Sequence, residues 1–345
     1  MKYSNCLLAI LFMIAATLGW TSYILAAPLD DLIAAAKKEG ALNLHAPSTL
    51  GPQGSAELIA AFNKKYGPHI RVNYIPSSSF TTDIARVISQ SALGVAPEYD
   101  LMLVSDNHHA SLWSRRLHLT FDYKALGVDP KAIQHDNGSV MIAHGIVLPA
   151  YNHKILNSKD VPRRWEDFLD PKWKDGKLGT STSTHYFGRL AAGPWGEEKT
   201  TKFVKGLAGQ RPFLGRLAEL YTRLQLGEIL MAVPMADSMI GRARKEGAPI
   251  TFTERIEPVP MTANSAGVLK GAAHPNAGHL FAAFMTTLEA QEIWERHFGQ
   301  TSAFVPGTAN HKFAQGKQVL YMHEKDAELV EKLATEYSKI LGFTR

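Results

Sequence analysis

An α/β fold with a parallel sheet in each half of the chain is predicted from three observations. The first is Leu42-Asn43-Leu44-His45-Ala46-Pro47-Ser48, an apolar-alternating strand that runs into a polar loop. A helix with Leu32, Ile33, Ala35 and Ala36 on one face precedes it, and one with Leu58, Ile59, Ala61 and Phe62 on its inner side follows. Helix, strand, loop and helix make a βα unit whose strand belongs in the middle of a parallel sheet. The second is that strands at Ile70–Ile75 and Tyr99–Val104 also end in polar loops before helices. The third is that residues 177–238 repeat this plan without repeating its sequence. Ligands of such sheets bind beyond the carboxyl ends of the strands, where loop amides and helix N-termini face an incoming group.

In chain order, Asp30 is expected to cap the first helix and Gly40 to end it. The Ile70–Ile75 strand leads through Pro76-Ser77-Ser78-Ser79 into a helix over Ile84, Val87, Ile88 and Leu93. Tyr99–Val104 leads through Ser105-Asp106-Asn107-His108-His109 into a helix with Ala110, Leu112 and Trp113. Residues 122–134 read as connecting structure, and Val140–Ala143 and Ile146–Tyr151 as two extended segments. Pro162–Phe168 reads as the start of a helix. Lys177–Thr180 and Ile229–Val233 are strands ending in Ser181–Tyr186 and Pro234–Ser238. Helices are expected over Lys199–Leu207 and Ala218–Leu226. Ile256–Met261 and Ser265–Leu269 are extended, and helices follow over Ala277–Thr287, Glu289–Phe298 and Lys325–Ile340. The last keeps Leu329, Val330, Leu333, Tyr337 and Ile340 at a 3.6 period, which marks a docking element.

The N-terminus reads as an export signal: Lys2, an apolar run from Leu7 to Leu18, then Ala26 and Ala27 before Pro28. A retained membrane anchor is the alternative, because Gly19–Leu25 extends the apolar run and no strict A-x-A site occurs. Cleavage after Ala27 removes Cys6, the only cysteine, and with it thiol catalysis, disulfides and cysteine-based metal sites. The net charge of +5 is spread among acids with no basic stripe, which argues against nucleic-acid binding. No G-x-S-x-G elbow, P-loop or dinucleotide fingerprint occurs, so no enzyme reading stands out, and no cofactor is expected.

The pattern resembles the solute-binding proteins of bacterial ABC importers, in the branch of ferric-iron binders and their relatives for organic phosphonates and other small anions. The carrying segments are Leu32–Gly40, Pro97-Glu98-Tyr99-Asp100-Leu101, Leu226-Gly227-Glu228-Ile229, Ala266-Gly267-Val268-Leu269-Lys270, and Ala277–Met285 with Glu289-Ala290-Gln291. The resemblance implies a two-lobed periplasmic binding protein fold of type 2 with the ligand cleft between the lobes. Residues 28–144 would form the first part of lobe 1 and 145–262 lobe 2. Residues 263–345 would return to lobe 1, with C-terminal helices able to pack across both. It also implies a monomeric, periplasmic, non-enzymatic protein that captures a small solute by hinge closure and delivers it to an inner-membrane permease. A ligand sensor for a membrane receptor and a secreted hydrolase are the alternatives.

Two ligand chemistries follow. Ser48, Thr49, Ser77, Ser78, Ser79, Ser181, Thr182, Ser183, Thr184 and Ser238 all fall between a strand and a helix, and suit a phosphonate, phosphate ester or carboxylate. The alternative role for each loop is plain N-capping. Tyr186 is placed to contact an organic part of the ligand. Arg189 and Arg242 are candidate anion clamps, against a solvent-facing role. Asp106 and Asp237 would bind a ligand amine or cap helices. The second chemistry is ferric iron or an iron chelate. The tyrosine pair of iron-binding members is missing at Met235-Ala236-Asp237-Ser238, which leaves His45, Asp106, His108, Asp237 and His109 as candidate ligands.

Overall fold

The computed structural model describes residues 23–67 and 70–343. Residues 1–22, with Cys6 and most of the export-signal segment, lie outside the described residues. No helix among the described residues is long and apolar enough to cross a membrane. The chain runs α1 (Tyr23–Glu39), β1 (Ala41–Pro47), α2 (Gly51–Tyr66), β2 (Arg71–Ser77), α3 (Phe80–Ala92), β3 (Leu101–Ser105) and α4 (Asp106–Trp113). It continues through β4 (Ile133–Gln134), β5 (Ser139–Asn152), β6 (Leu178–Ser181), α5 (His185–Ala192), α6 (Gly196–Gly209), β7 (Phe213–Gly215) and α7 (Leu217–Leu226). Then come β8 (Met231–Ala236), α8 (Asp237–Glu246), β9 (Ile250–Phe252), β10 (Val259–Val268), α9 (Pro275–Phe284) and α10 (Leu288–Phe298). The chain closes with α11 (Ala309–Ala314), β11 (Val319–Leu320) and α12 (Ala327–Leu341).

Two compact units emerge. Of the described residues, the first holds those within 1–104, 112–140 and 266–293, and the second those within 105–111, 141–265 and 294–345. The grouping therefore changes inside β5, between Val140 and Met141, and inside β10, between Ser265 and Ala266. Both are single continuous strands where the sequence suggested two extended pieces each.

In the first unit β1 lies between β2 and β3, parallel to both. Leu101–Val104 is buried on both faces, the near-continuous apolar run of a central parallel strand. α2 and α9 close one layer through Phe62, whose ring meets Phe281 at 4.9 Å and Phe284 at 5.6 Å. Asp30 does not cap α1, because the helix begins earlier and runs through it. Gly40 does end that helix: it takes φ +68°, a left-handed conformation glycine adopts without strain, and its N–H returns to the Ala36 carbonyl.

In the second unit the strand order is β10-β5-β8-β6-β7. β8, β6 and β7 are parallel and β5 runs antiparallel to β8. The core gathers around Trp165, whose indole N–H donates to the Pro258 carbonyl at 3.0 Å. Of the return segment, expected in lobe 1 with C-terminal helices able to pack across both lobes, the part after residue 293 groups with this unit. The reason is α12, which packs against α5 and α6 and buries Leu333, Tyr337 and Leu341. Thr184 Oγ1 donates to the Ala334 carbonyl at 2.7 Å. At Gly188 a Cβ would stand 2.7 Å from the Val330 carbonyl oxygen, so glycine is what lets α5 approach α12 this closely. Gly188→Ala is expected to lose about 1–3 kcal/mol by overpacking, read as a lower urea midpoint at unchanged slope.

Candidate functional site

The second unit assembles a polar site from the ends of its strands. Because β6 and β8 are parallel, residues 182–184 and 237–238 leave the sheet at the same edge. β5 meets β8 antiparallel with Val147 opposite Ala236, which brings Gly145 and Ile146 to that edge as well. The first turns of α4 supply Asp106.

Asp106 and Arg189 form a buried bidentate pair, with side chains 2 % and 4 % exposed. The guanidinium donates to Asp106 Oδ1 and Oδ2 at 2.8 Å each, and to the Met261 carbonyl at 3.3 Å. The backbone N–H groups of Asn107 and Ala263 complete the carboxylate at 2.8 and 3.2 Å. Burial pushes the Asp106 carboxyl upward, but the Arg189 charge and these donors outweigh it and hold it below the ordinary range. Arg189 is thus neither solvent-facing nor a free clamp: its charge is committed to Asp106.

Asp237 is the contrasting carboxylate. It accepts from Gln300 Nε2 at 3.0 and 3.2 Å and from the Ile146 N–H at 3.1 Å, with no cation in hydrogen-bond contact among the described residues. Burial raises its pKa to about 6 against those donors. Gly145 makes the approach possible: a Cβ there would stand 2.6 Å from Thr262 Oγ1 and 2.7 Å from Gln300 Nε2. Tyr186 packs on Val147 and Ala236 and is hydrogen-bonded to Ser183. Burial raises its phenol pKa, and the charges of Arg189 and Asp237 both act on it. The ring of His185 lies 4.2 Å from that of Tyr186, and burial lowers its pKa to about 4.

The remaining expectations divide. Thr182 and Ser238 are exposed at the edge and Ser183 is half-buried, whereas Ser181 Oγ accepts from the Ser183 N–H and Thr184 serves α12. Arg242 is no anion clamp: it is exposed, pairs with Glu246 at 2.7 Å and stacks over Tyr221. His108 Nδ1 meets Ser105 Oγ at 2.5 Å, and burial lowers its pKa. His109 is buried with Nε2 on the Ser265 carbonyl at 3.0 Å, a structural role that removes it as a ligand.

In the first unit the hydroxyl loops split the same way. Ser48, Thr49 and Ser78 are exposed. Ser77 Oγ donates to Asp83 at 2.5 Å, and Ser79 caps α3 through the Thr82 N–H. His45 is 1 % exposed and hydrogen-bonded to Asp83 at 2.9 Å; burial lowers its pKa against that carboxylate's pull. The metal set of His45, Asp106, His108 and Asp237 is not supported, since His45 and Asp106 are already committed to Asp83 and Arg189. Among the described residues no cluster of three or more His, Cys, Asp or Glu side chains is arranged to hold a metal ion.

Gln300, Thr262 and the Ala263 N–H were not anticipated, and residues 300, 262 and 263 carry no local motif. Gly145 had a legible signal, because glycine inside a strand marks a close approach.

Two expectations follow. Asp106→Asn or Arg189→Met leaves a buried charge without its partner and should cost about 3–5 kcal/mol, with the double variant losing less than the sum in denaturation midpoints. The folded pKa of Asp237 lies above its ordinary 3.8. Its contribution is therefore full below about pH 4 and is lost as pH rises through about 6. Urea titrations at intervals across that window should show a decline of about 3 kcal/mol at most, absent in Asp237→Asn. An equal decline in the variant would assign it to other groups.

With this geometry the chain can be set beside known proteins. A family model described as bacterial extracellular solute-binding protein matches residues 46–292. No curated protein matches significantly in sequence. Among solved structures, the Trichodesmium protein IdiA (FutA) in complex with iron and citrate ligands is similar at TM-score 0.70 and 17 % identity, over 88 % of this chain and 100 % of that one. Iron-bound HitA from Pseudomonas aeruginosa is similar at TM-score 0.65 and 18 % identity, over 88 % and 99 %. An ABC transporter substrate-binding protein from Bradyrhizobium japonicum USDA 110 is similar at TM-score 0.68 and 17 % identity, over 86 % and 99 %. At these identities the likeness is one of fold. The family match spans most of the chain, and the chain belongs to the bacterial extracellular solute-binding proteins, two-lobed α/β components of ABC transporters that bind and do not catalyse.

Proposed function

We propose that this protein captures iron as an anionic carboxylate chelate outside the cytoplasm and hands it to a membrane permease. The observation that carries the reading is the state of Asp106. A bare ferric ion requires several hard anionic oxygens presented together. Here Asp106, one of the two acidic candidates for such a set, is neutralised by Arg189, and the tyrosine pair is absent. The edge instead offers exposed hydroxyls at Thr182 and Ser238 beside the N-terminus of the ten-residue α8. Such donors suit the oxygens of a ligand that brings its own carboxylates. Two solved relatives support iron as the cargo, one of them with citrate beside it. This shifts the weight from the phosphonate or phosphate ester expected of the hydroxyl-rich loops to the iron-chelate alternative. Periplasmic delivery after cleavage of residues 1–27 belongs to the same proposal.

In this reading Arg189 does not touch the cargo. It holds Asp106 as a neutral pair, which removes one of the two carboxylate charges that an anionic chelate would meet at this edge. Ser183 orients Tyr186, and Gly145 keeps Gln300 on Asp237.

The test is a thermal-shift titration of the purified chain with ferric citrate, citrate alone and phenylphosphonate, together with native mass spectra of the ferric sample. Ferric citrate at a hundredfold excess over its Kd should stabilise the fold by about 2.7 kcal/mol. The complex should carry iron and citrate in one mass. Stabilisation by phenylphosphonate with none from ferric citrate would overturn the proposal in favour of an organic-anion binder. Iron bound with no citrate mass would overturn the chelate.

A further inference from the structure

We infer that the second unit carries another binding site, a basic cavity on its β9 side that takes a small organic polyanion with two or three carboxylate or phosphate groups on an apolar body. The cavity has a volume of about 370 Å³, within the range of small-molecule sites (~300–1,000 Å³). One wall is β9 and its continuation to Arg255, and the other is the turn from Ser158 to Arg163. None of its lining residues belongs to the strand-end site described above.

The walls are well anchored. β9 pairs antiparallel with β5, with Thr251 opposite Tyr151. Beyond it, the Thr253 N–H and hydroxyl both donate to the Pro149 carbonyl, at 2.9 and 3.0 Å. Lys317 Nζ donates to the Glu254 carbonyl at 3.0 Å. The floor is apolar, formed by Phe252 and Val161.

Charge decides what fits. Lys159, Arg163 and Arg255 line the cavity against one carboxylate, Glu254. Among the described residues none of these three cations is in an ion pair, although arginines close by are. Arg164 pairs with Asp167 at 3.0 Å, and the other oxygen of that carboxylate accepts the backbone N–H groups of Arg163 and Arg164. Asp167 is therefore spent, and the Arg163 guanidinium is left to the cavity. Two guanidiniums and an ammonium around an apolar floor match planar anionic oxygens carried on a hydrophobic skeleton. A lone inorganic ion would leave the floor uncovered.

The experiment uses the full exported chain, ¹⁵N-labelled, and follows backbone amides during titration with 1,3,5-benzenetricarboxylate, phenyl phosphate and inorganic phosphate. Saturable shifts confined to residues 158–163 and 251–255 are expected with the first two probes. Their relative strength tells carboxylate from phosphate preference. Arg163→Ala/Arg255→Ala should weaken binding at least about tenfold, while Glu254→Gln should strengthen it. These side chains are exposed, so circular dichroism should report an unchanged fold. No saturable shift with the first two probes, or equal affinity in the double variant, would overturn the small-ligand site. The response to ferric citrate should be unchanged in the same variants, so this inference and the iron-chelate reading stand or fall separately.

Discussion

The second unit depends on the neutralisation of Asp106 by Arg189. A carboxylate and a guanidinium buried together are tolerated only if each is matched in charge and hydrogen bonding. The charges match, and the hydrogen bonds come from parts of the chain far apart in sequence: α4 brings the carboxylate, α5 the guanidinium, and β10 the Met261 carbonyl and the Ala263 N–H, while Arg189 Nε is left without a partner among the described residues. The pair explains why residues 105–111 group with the second unit while the residues on either side of them in sequence belong to the first. It also sets the electrostatic character of the polar edge, where an acid that would repel anions is cancelled in place.

Asp237 shows the opposite solution. It is given hydrogen-bond donors but no cation, and burial lifts its pKa instead. Such a group is held by geometry: Gly145 leaves the room that Gln300 needs to reach it. One edge therefore holds a carboxylate that stays ionised and another close to sharing its proton at mildly acidic pH.

The hydroxyl-rich loops, uniform in sequence, have divided labour in the fold. Ser77, Ser79, Ser181 and Thr184 spend their oxygens on Asp83, the α3 N-terminus, the Ser183 amide and α12. Ser48, Thr49, Ser78, Thr182 and Ser238 remain exposed to solvent. Four of the ten hydroxyls that suggest an anion pocket are thus the ordinary chemistry of helix starts and turns, and Ser183 is bonded to Tyr186. The other five are open to solvent.

The strand-loop-helix plan of both halves, the buried β1 and β3 and the apolar face of α12 were legible in the sequence, because apolar periodicity alone decides which side of a strand or helix is buried. The segments at Pro97–Leu101, Leu226–Ile229 and Ala266–Lys270 carried the family as well. Only the tertiary structure decided what the charged residues do. Asp106, Arg189 and Arg242 look alike as polar residues near strand ends, yet two neutralise each other in the interior and the third pairs with Glu246 on the surface. Gln300 reaches Asp237 across 63 positions of sequence, a partnership no local pattern encodes. Burial lifts the Asp237 carboxyl, the Arg189 charge holds Asp106 ionised against burial, and Arg242 answers to a surface partner, so each outcome is decided by which distant segments pack around the side chain.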